Sequence, residues 1–169
     1  MPGPRGTVAR VDAPALHEDL AALAFLLGTW DGAGEGEYPT IEPFPYRETI
    51  EIAHVGDAYL TVTESSWSAD GEAIHLERGF IRAGADGEVE LVLAHPIGVT
   101  EVAHGRLQGT SITFVSEDKD VGRTRTGLDV IGLERRYRVD GDLMTYEVDL
   151  ATGRTAMTIH LRAELRRRP

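Results

Sequence analysis

Hydrophobic and polar residues alternate along most of this chain in short segments, a pattern typical of half-buried β-strands. Ile50 and Ile52 flank Glu51, and Val89 and Leu91 alternate with glutamates. Turn signals such as Asp-Gly separate the segments, as they do in hairpins. We therefore predict about ten strands. They are one strand from Gly28 and the segments Tyr46–His54, Tyr59–Trp67, Ile74–Ile81, Glu88–Ala94, Val99–Leu107, Ser111–Ser116, Asp129–Val139, Leu143–Leu150 and Thr155–Leu165.

Regularly spaced short strands indicate an up-and-down barrel or a sandwich. We expect an all-β, antiparallel up-and-down barrel like those of lipocalins and fatty-acid-binding proteins, wide enough to leave a cavity. Pro39–Pro45 contains three prolines, so it is predicted to form a stiff loop over one barrel mouth. Residues 12–169 should form this single domain, and the Gly/Pro/Arg-rich residues 1–11 a flexible N-terminus.

One helix is predicted before the first strand. Asp12 is suited to cap it, Pro14 fits its first turn and Gly28 ends it. The helix should therefore span about Pro14–Leu27. A leucine stripe at helical spacing is expected to pack against the rest of the domain: Leu16, Leu20, Leu23 and Leu27.

Glycines occupy alternate positions in the first predicted strand. An added Cβ is expected to collide there with an aromatic ring, a crossing strand or a ligand. The run is not a dinucleotide fingerprint, because Glu37 stands where its third glycine belongs and the helix precedes the strand. We assign an architectural role to this motif: Gly28, Trp30, Gly32 and Gly34.

Composition narrows the function classes. The formal net charge of -11 argues against a nucleic-acid partner. The absence of cysteine excludes disulfides, thiolate metal sites and covalently attached haem. The first residues do not resemble a signal peptide and no apolar run is long enough to span a bilayer, so we expect a cytoplasmic protein without a membrane partner. The Arg166–Arg168 cluster is expected to be a solvated tail.

Six histidines are the remaining candidates for chemistry, and their spacing contains no close metal-ligand pair, which disfavours a zinc site. His160 lies in the last predicted strand, and neutral imidazole is a good ligand for haem iron. Strict alternation, however, places His160 opposite the apolar face of that strand. A β-bulge could re-aim it; we favour instead that the apolar face packs under the N-terminal helix.

Several short motifs occur together in a specific order: Gly28-x-Trp30-x-Gly32-x-Gly34, Tyr38-Pro-Thr40-Ile41, His54-Val-Gly56, Gly79-Phe80-Ile81-Arg82 and Met157-Thr-x-His160-Leu. In this combination the chain resembles the nitrobindins from about Leu23 to Arg167. The resemblance implies a ten-stranded barrel with one non-covalent haem b per subunit, ferric iron, isomerisation of peroxynitrite to nitrate and reversible nitric oxide binding.

Carried over residue by residue, the resemblance makes His160 the axial iron ligand and sole protein ligand, with no catalytic residue beyond the iron it holds. It places Thr40 against the haem and His75 in the pocket wall. A homodimer is left open. The candidates to offset the negative net charge around an anionic substrate are Arg47, Arg78, Arg82 and Arg154.

Two other function classes are weighed. The chain could be a haem-free intracellular carrier of fatty acid or another small apolar ligand, since lipocalins share the Gly28-x-Trp30 opening. Lipocalins are usually secreted and disulfide-bonded, however, and intracellular lipid carriers place a helix pair where Pro39–Pro45 stands. A barrel that has lost haem and serves as an interaction module is the third alternative.

Overall fold

The computed structural model describes residues 14–169, so Asp12 and the predicted flexible segment 1–11 lie outside the described residues. The predicted all-β antiparallel barrel is confirmed. Its strands are β1 (Gly28–Tyr38), β2 (Ile41–His54), β3 (Leu60–Trp67), β4 (Ala73–Ala83), β5 (Glu88–His95), β6 (Val99–Gln108), β7 (Ser111–Ser116), β8 (Val121–Arg123), β9 (Val130–Asp140), β10 (Leu143–Thr152) and β11 (Thr155–Arg167).

Ten of these strands close the barrel. The order is β5-β4-β3-β2-β1-β11-β10-β9-β7-β6, and pairing of β5 with β6 joins the two ends. The short β8 pairs with the start of β6, and β7 pairs with its end. β7 and β8 therefore occupy the same position in the barrel, beside β6, and a 3₁₀ turn at Asp118–Asp120 separates them along the chain.

The prediction that Pro39–Pro45 forms a loop is wrong. Only Pro39 and Thr40 form a turn, and β2 begins at Ile41 and runs through Pro43 and Pro45. Pairing of β2 with β3 starts only at Arg47, so the first part of β2 is an edge with β1 on one side. Prolines are tolerated on such an edge because no neighbouring strand needs their N–H.

The predicted N-terminal helix exists but is shorter. It is a 3₁₀ helix at Glu18–Leu26, and the Nδ1 atom of its N-cap, His17, accepts a hydrogen bond from the Asp19 N–H. Its buried leucines are Leu20, Leu23 and Leu26. They follow the three-residue period of a 3₁₀ helix, which adds Leu26 to the predicted stripe. Leu16 and Leu27 are half-buried and pack against the same core.

This helix plugs one end of the barrel around Trp30, which is fully buried and donates from its indole N–H to the Leu26 carbonyl. The Arg167 guanidinium lies 4.1 Å from the centre of the Trp30 ring and donates to the Phe25 carbonyl. Arg168 pairs with Asp31. The predicted solvated tail is thus wrong for Arg167, which fastens the helix to the end of β11, whereas the side chains of Arg166 and Arg168 are exposed.

The glycine face of β1 lies against aromatic rings and a crossing strand, as predicted. A Cβ at Gly34 would meet the Tyr46 ring and, at 2.5 Å, the backbone carbonyl of Arg162 on β11. The three atoms nearest to a Cβ at Gly36 would all belong to the Phe44 ring. Glycine therefore lets β1 approach β11 and the rings from β2 closely.

Replacing Gly34 with alanine is expected to lower the free energy of unfolding by about 1–3 kcal/mol, the usual cost of overpacking. The Arg162 carbonyl is fixed in the β1–β11 ladder and cannot move away. Gly36→Ala should cost less, because the half-buried Phe44 ring can rotate. Urea unfolding of both variants measures the difference, and a larger cost at Gly36 would contradict this packing.

Candidate functional site

A cavity of about 540 Å³ opens at the end of the barrel opposite the helix. This volume is in the range of small-molecule and cofactor sites. His160, Thr40 and His75, the three predicted site residues, all line it. The structure therefore brings together residues from β11, the β1–β2 turn and β4.

A β-bulge at His160 turns its ring into the cavity. Between Val148 and Asp149 of β10, the paired residue on β11 changes from Leu161 to Ile159, so His160 is the extra residue. Leu161 also lines the cavity, which strict alternation forbids for two neighbours. Of the two accounts considered above, the bulge is correct and packing under the helix is wrong.

The backbone fixes which nitrogen of His160 carries the proton. Nδ1 lies 3.0 Å from the Glu37 carbonyl oxygen, which can only accept, so Nδ1 is the donor. In the neutral ring Nε2 then has a free lone pair, and it has no hydrogen-bond partner within residues 14–169. Burial lowers the pKa of His160 despite the opposing Glu37 bond, which favours the neutral ring. Such an oriented neutral imidazole is suited to bind a metal.

The ring is also held from the side. The Tyr38 ring packs edge-on against it, with the ring centres 5.4 Å apart, and the Tyr38 hydroxyl donates to the Leu150 carbonyl at 3.4 Å. Glu37 and Tyr38 lie at the end of β1, where the β1–β2 register shifts before the Pro39–Thr40 turn. The end of the glycine strand therefore positions the imidazole.

The cavity mouth combines exposed apolar side chains with one cation. Ile41, Ile74 and Leu128 line it and are 47%, 42% and 56% exposed. Side chains of this kind are normally covered, and a flat apolar ligand in the mouth would cover them. Arg154, in the β10–β11 turn, is the one among the four candidate arginines that lines the cavity.

The cavity floor is charged and buried. Arg135 of β9 is 2% exposed; its Nε donates to the Glu101 carboxylate at 3.1 Å and its Nη2 to Glu77 at 3.0 Å. Burial alone would raise the pKa of Glu77, but the Arg135 guanidinium and two histidines hold it well below its usual range. The same guanidinium lowers the pKa of the buried Glu101. Both carboxyls are therefore ionised beside Arg135.

Two further glutamates, Glu48 and Glu64, complete the floor. Burial raises the pKa of both, and the charge of Glu77 raises that of Glu64 further. Tyr146 donates to the Glu48 carboxylate at 2.8 Å, and its hydroxyl lies 2.8 Å from that of Tyr46. Burial thus disfavours the charged form of Glu64, while Glu48 joins a tyrosine network.

His75 and His95 meet at the same floor, although their sequence spacing predicts no ligand pair. Nε2 of His75 lies 3.4 Å from Nδ1 of His95, and both face Glu77. The prediction that no histidines form a close pair is therefore wrong, because pairing of β4 with β5 joins residues twenty positions apart. Burial opposes protonation of His95, but the neighbouring carboxylates of Glu101 and Glu77 raise its pKa to about 9.

Comparisons with known proteins agree with this geometry. Residues 19–167 match the family model described as the THAP4-like, heme-binding beta-barrel domain. The chain is 44% identical over 156 residues to Peroxynitrite isomerase of Nocardia farcinica, covering 90% of this chain and 93% of that protein. It is 43% identical over 155 residues to Peroxynitrite isomerase 2 of Mycobacterium avium, covering 90% and 96%.

A solved structure shares the whole fold. The crystal structure of Rv2717c from M. tuberculosis superposes with a TM-score of 0.85 at 40% identity, covering 92% of this chain and all of that one.

Among residues 14–169, no helix has the length and apolar character that crossing a membrane requires.

Proposed function

Because the chain belongs to the THAP4-like heme-binding β-barrel family, we propose that it is a peroxynitrite isomerase that works with a haem b held by His160. The family match covers nearly the whole domain, which agrees with the nitrobindin resemblance of the sequence. The observation that carries the proposal is the orientation of His160. Its Nδ1–H is committed to the Glu37 carbonyl, and its free Nε2 faces a cavity of cofactor size.

The residues around the cavity fit a haem. The exposed apolar side chains of the mouth would be covered by a macrocycle, and Thr40 lies in the turn beside them. The buried floor is polar, so we assign the mouth rather than the floor to the cofactor. When bound, a ferric haem supplies a Lewis-acidic iron that accepts an anionic ligand.

The protein's own contribution is positioning. Glu37 and Tyr38 hold the imidazole, and the neutral ring leaves the proximal proton on Nδ1. Arg154 places positive charge at the mouth, which attracts an anion to a chain of net charge -11. Conversion of peroxynitrite to nitrate breaks one O–O bond and forms one N–O bond without net transfer of electrons or protons. The overall reaction therefore requires no net proton donor or acceptor.

Stopped-flow mixing of the haem-loaded protein with peroxynitrite tests the proposal. We expect decay to accelerate in proportion to protein concentration and the nitrate yield to rise, because isomerisation competes with spontaneous decay. His104→Ala should behave as wild type, since His104 is exposed on β6, outside the cavity. Haem-loaded protein that leaves both the decay rate and the nitrate yield unchanged would refute the assignment.

Nitric oxide binding is a finer part of the proposal. A haem with one protein ligand leaves the opposite face open to a small diatomic molecule. Optical titration of the reduced, haem-loaded protein with nitric oxide, followed by its removal, should give a reversible spectral change. A cytoplasmic location and a homodimer stay predictions from the sequence.

The fatty-acid carrier alternative is less consistent with the cavity. A long apolar chain entering the barrel would contact Glu48, Glu77 and Arg135, whose buried charges and hydrogen bonds it cannot satisfy. A flat ligand confined to the mouth avoids this cost.

A further inference from the structure

We propose that His75, Glu77 and His95 form a second metal site, for a divalent first-row transition ion, in the floor of the cavity. The site is separate from His160 and does not depend on the proposed haem chemistry. His75 and Glu77 lie on β4 and His95 at the end of the neighbouring β5. All three line the cavity, so an ion can reach them from the mouth.

The three donor atoms already have the spacing of a ligand set. Nε2 of His75 lies 3.2 Å from Oε1 of Glu77, Nδ1 of His95 lies 3.1 Å from the same oxygen, and the two nitrogens are 3.4 Å apart. Ligands about 2.0–2.2 Å from an ion, at bond angles of about 90–110°, lie about 2.8–3.6 Å from one another. An ion can therefore bind all three with little movement of the side chains.

Hydrogen bonding alone accounts poorly for this arrangement. Oε1 of Glu77 lies within 3.2 Å of three nitrogens, from His75, His95 and Arg135, although a carboxylate oxygen has about two lone-pair directions. Meanwhile the buried Oε2 of Glu77 and the buried Nε2 of His95 have no partner among the described residues. If an ion bound the nitrogens of His75 and His95, these nitrogens would no longer compete for the same oxygen of Glu77.

The surroundings complete the site. Nε2 of His95 lies 3.5 Å from Oε2 of Glu101, so binding of an ion at Nδ1 would leave the Nε2 proton directed at a carboxylate. Metal-bound histidines usually have such a partner. Arg135 repels a cation, but two buried carboxylates, Glu77 and Glu101, lie against this one guanidinium.

The ligand types determine the class of ion. Two imidazoles and one carboxylate suit Zn²⁺, Fe²⁺ or Co²⁺. Ca²⁺ and Mg²⁺ prefer oxygen ligands and are expected to bind poorly. An ion bound by these three residues would keep free coordination positions on the side that faces the cavity. His160 lines the same cavity.

Titration of the full chain with Co²⁺, followed by visible absorption and calorimetry, tests the site. We expect one ion per chain in both haem-free and haem-loaded protein, with no comparable binding of Mg²⁺. His75→Leu should weaken Co²⁺ binding at least about a hundredfold. Loss of a residue that only hydrogen-bonds a metal ligand costs about 10–100-fold in affinity, and loss of the ligand itself should cost more. His104→Ala and His160→Ala should retain it.

The two proposals fail separately. Absence of Co²⁺ binding, or wild-type affinity in His75→Leu, would overturn the metal site without affecting haem binding. Loss of Co²⁺ binding in His160→Ala would overturn it too, by placing the ion at the proposed haem ligand. Folding of each variant is checked by its thermal midpoint without metal, and Co²⁺ should raise this midpoint in wild type but not in His75→Leu. His95→Asn serves as the second ligand variant and should also lose the ion.

Discussion

The His160→Ala variant is expected to lose the Soret band that hemin gives with the wild-type protein. The backbone orients the Nε2 lone pair of His160 towards the cavity, through the Nδ1–H bond to Glu37. Removing an outer partner of a metal ligand already costs about 10–100-fold in affinity, so loss of the ligand itself should cost at least as much. Hemin titration followed by absorption measures this loss.

Exogenous imidazole provides a sharp control for this prediction. The alanine leaves a space where the ring stood, so added imidazole should restore the Soret band. His104→Ala should bind hemin like wild type, because its side chain is exposed on the outside of the barrel. If His160→Ala kept wild-type hemin affinity, another residue would be the ligand.

The Arg135→Met variant is expected to lose about 3–5 kcal/mol of unfolding free energy, the usual cost of breaking a buried ion pair from one side. Its guanidinium is 2% exposed and bonds both Glu77 and Glu101. Without it, the two buried carboxyls whose pKa values it lowers lose their guanidinium partner. Urea unfolding at neutral pH measures the loss.

Two comparisons isolate the buried charge. Arg138→Met changes an exposed arginine on the same strand and should alter stability by no more than about 0.5 kcal/mol. Adding Glu77→Gln and Glu101→Gln to Arg135→Met should recover part of the loss, since the two carboxylates that Arg135 pairs with are then replaced by neutral amides. A cost at Arg135 equal to that at Arg138 would contradict the ion-pair network.

The barrel could be predicted from the sequence because hairpin turns and period-two alternation are local signals. Ile50 and Ile52 point inward and Glu51 outward, as predicted. The orientation of His160 was not accessible, since one inserted residue reverses the alternation and a bulge leaves no clear mark in composition. The edge position of Pro43 also depends on where β3 ends, which is a property of the assembled sheet.

The charged floor was not predicted, although the sequence contains a signal for it. Glu48 is in phase with the inward-facing Ile50 and Ile52, and Glu64 is in phase with Leu60 and Val62. A glutamate on the apolar face of a strand is unexpected unless it has a buried partner. The partner of Glu48, Tyr146 on β10, is brought to it by barrel closure and could not be read from spacing.

The structure of the haem-loaded protein tests the central claim most directly. We expect the iron within bonding distance of Nε2 of His160, with Nδ1 still donating to the Glu37 carbonyl and the macrocycle covering Ile41 and Leu128. Iron bound instead to His75 or His95, or a haem that does not contact His160, would contradict it.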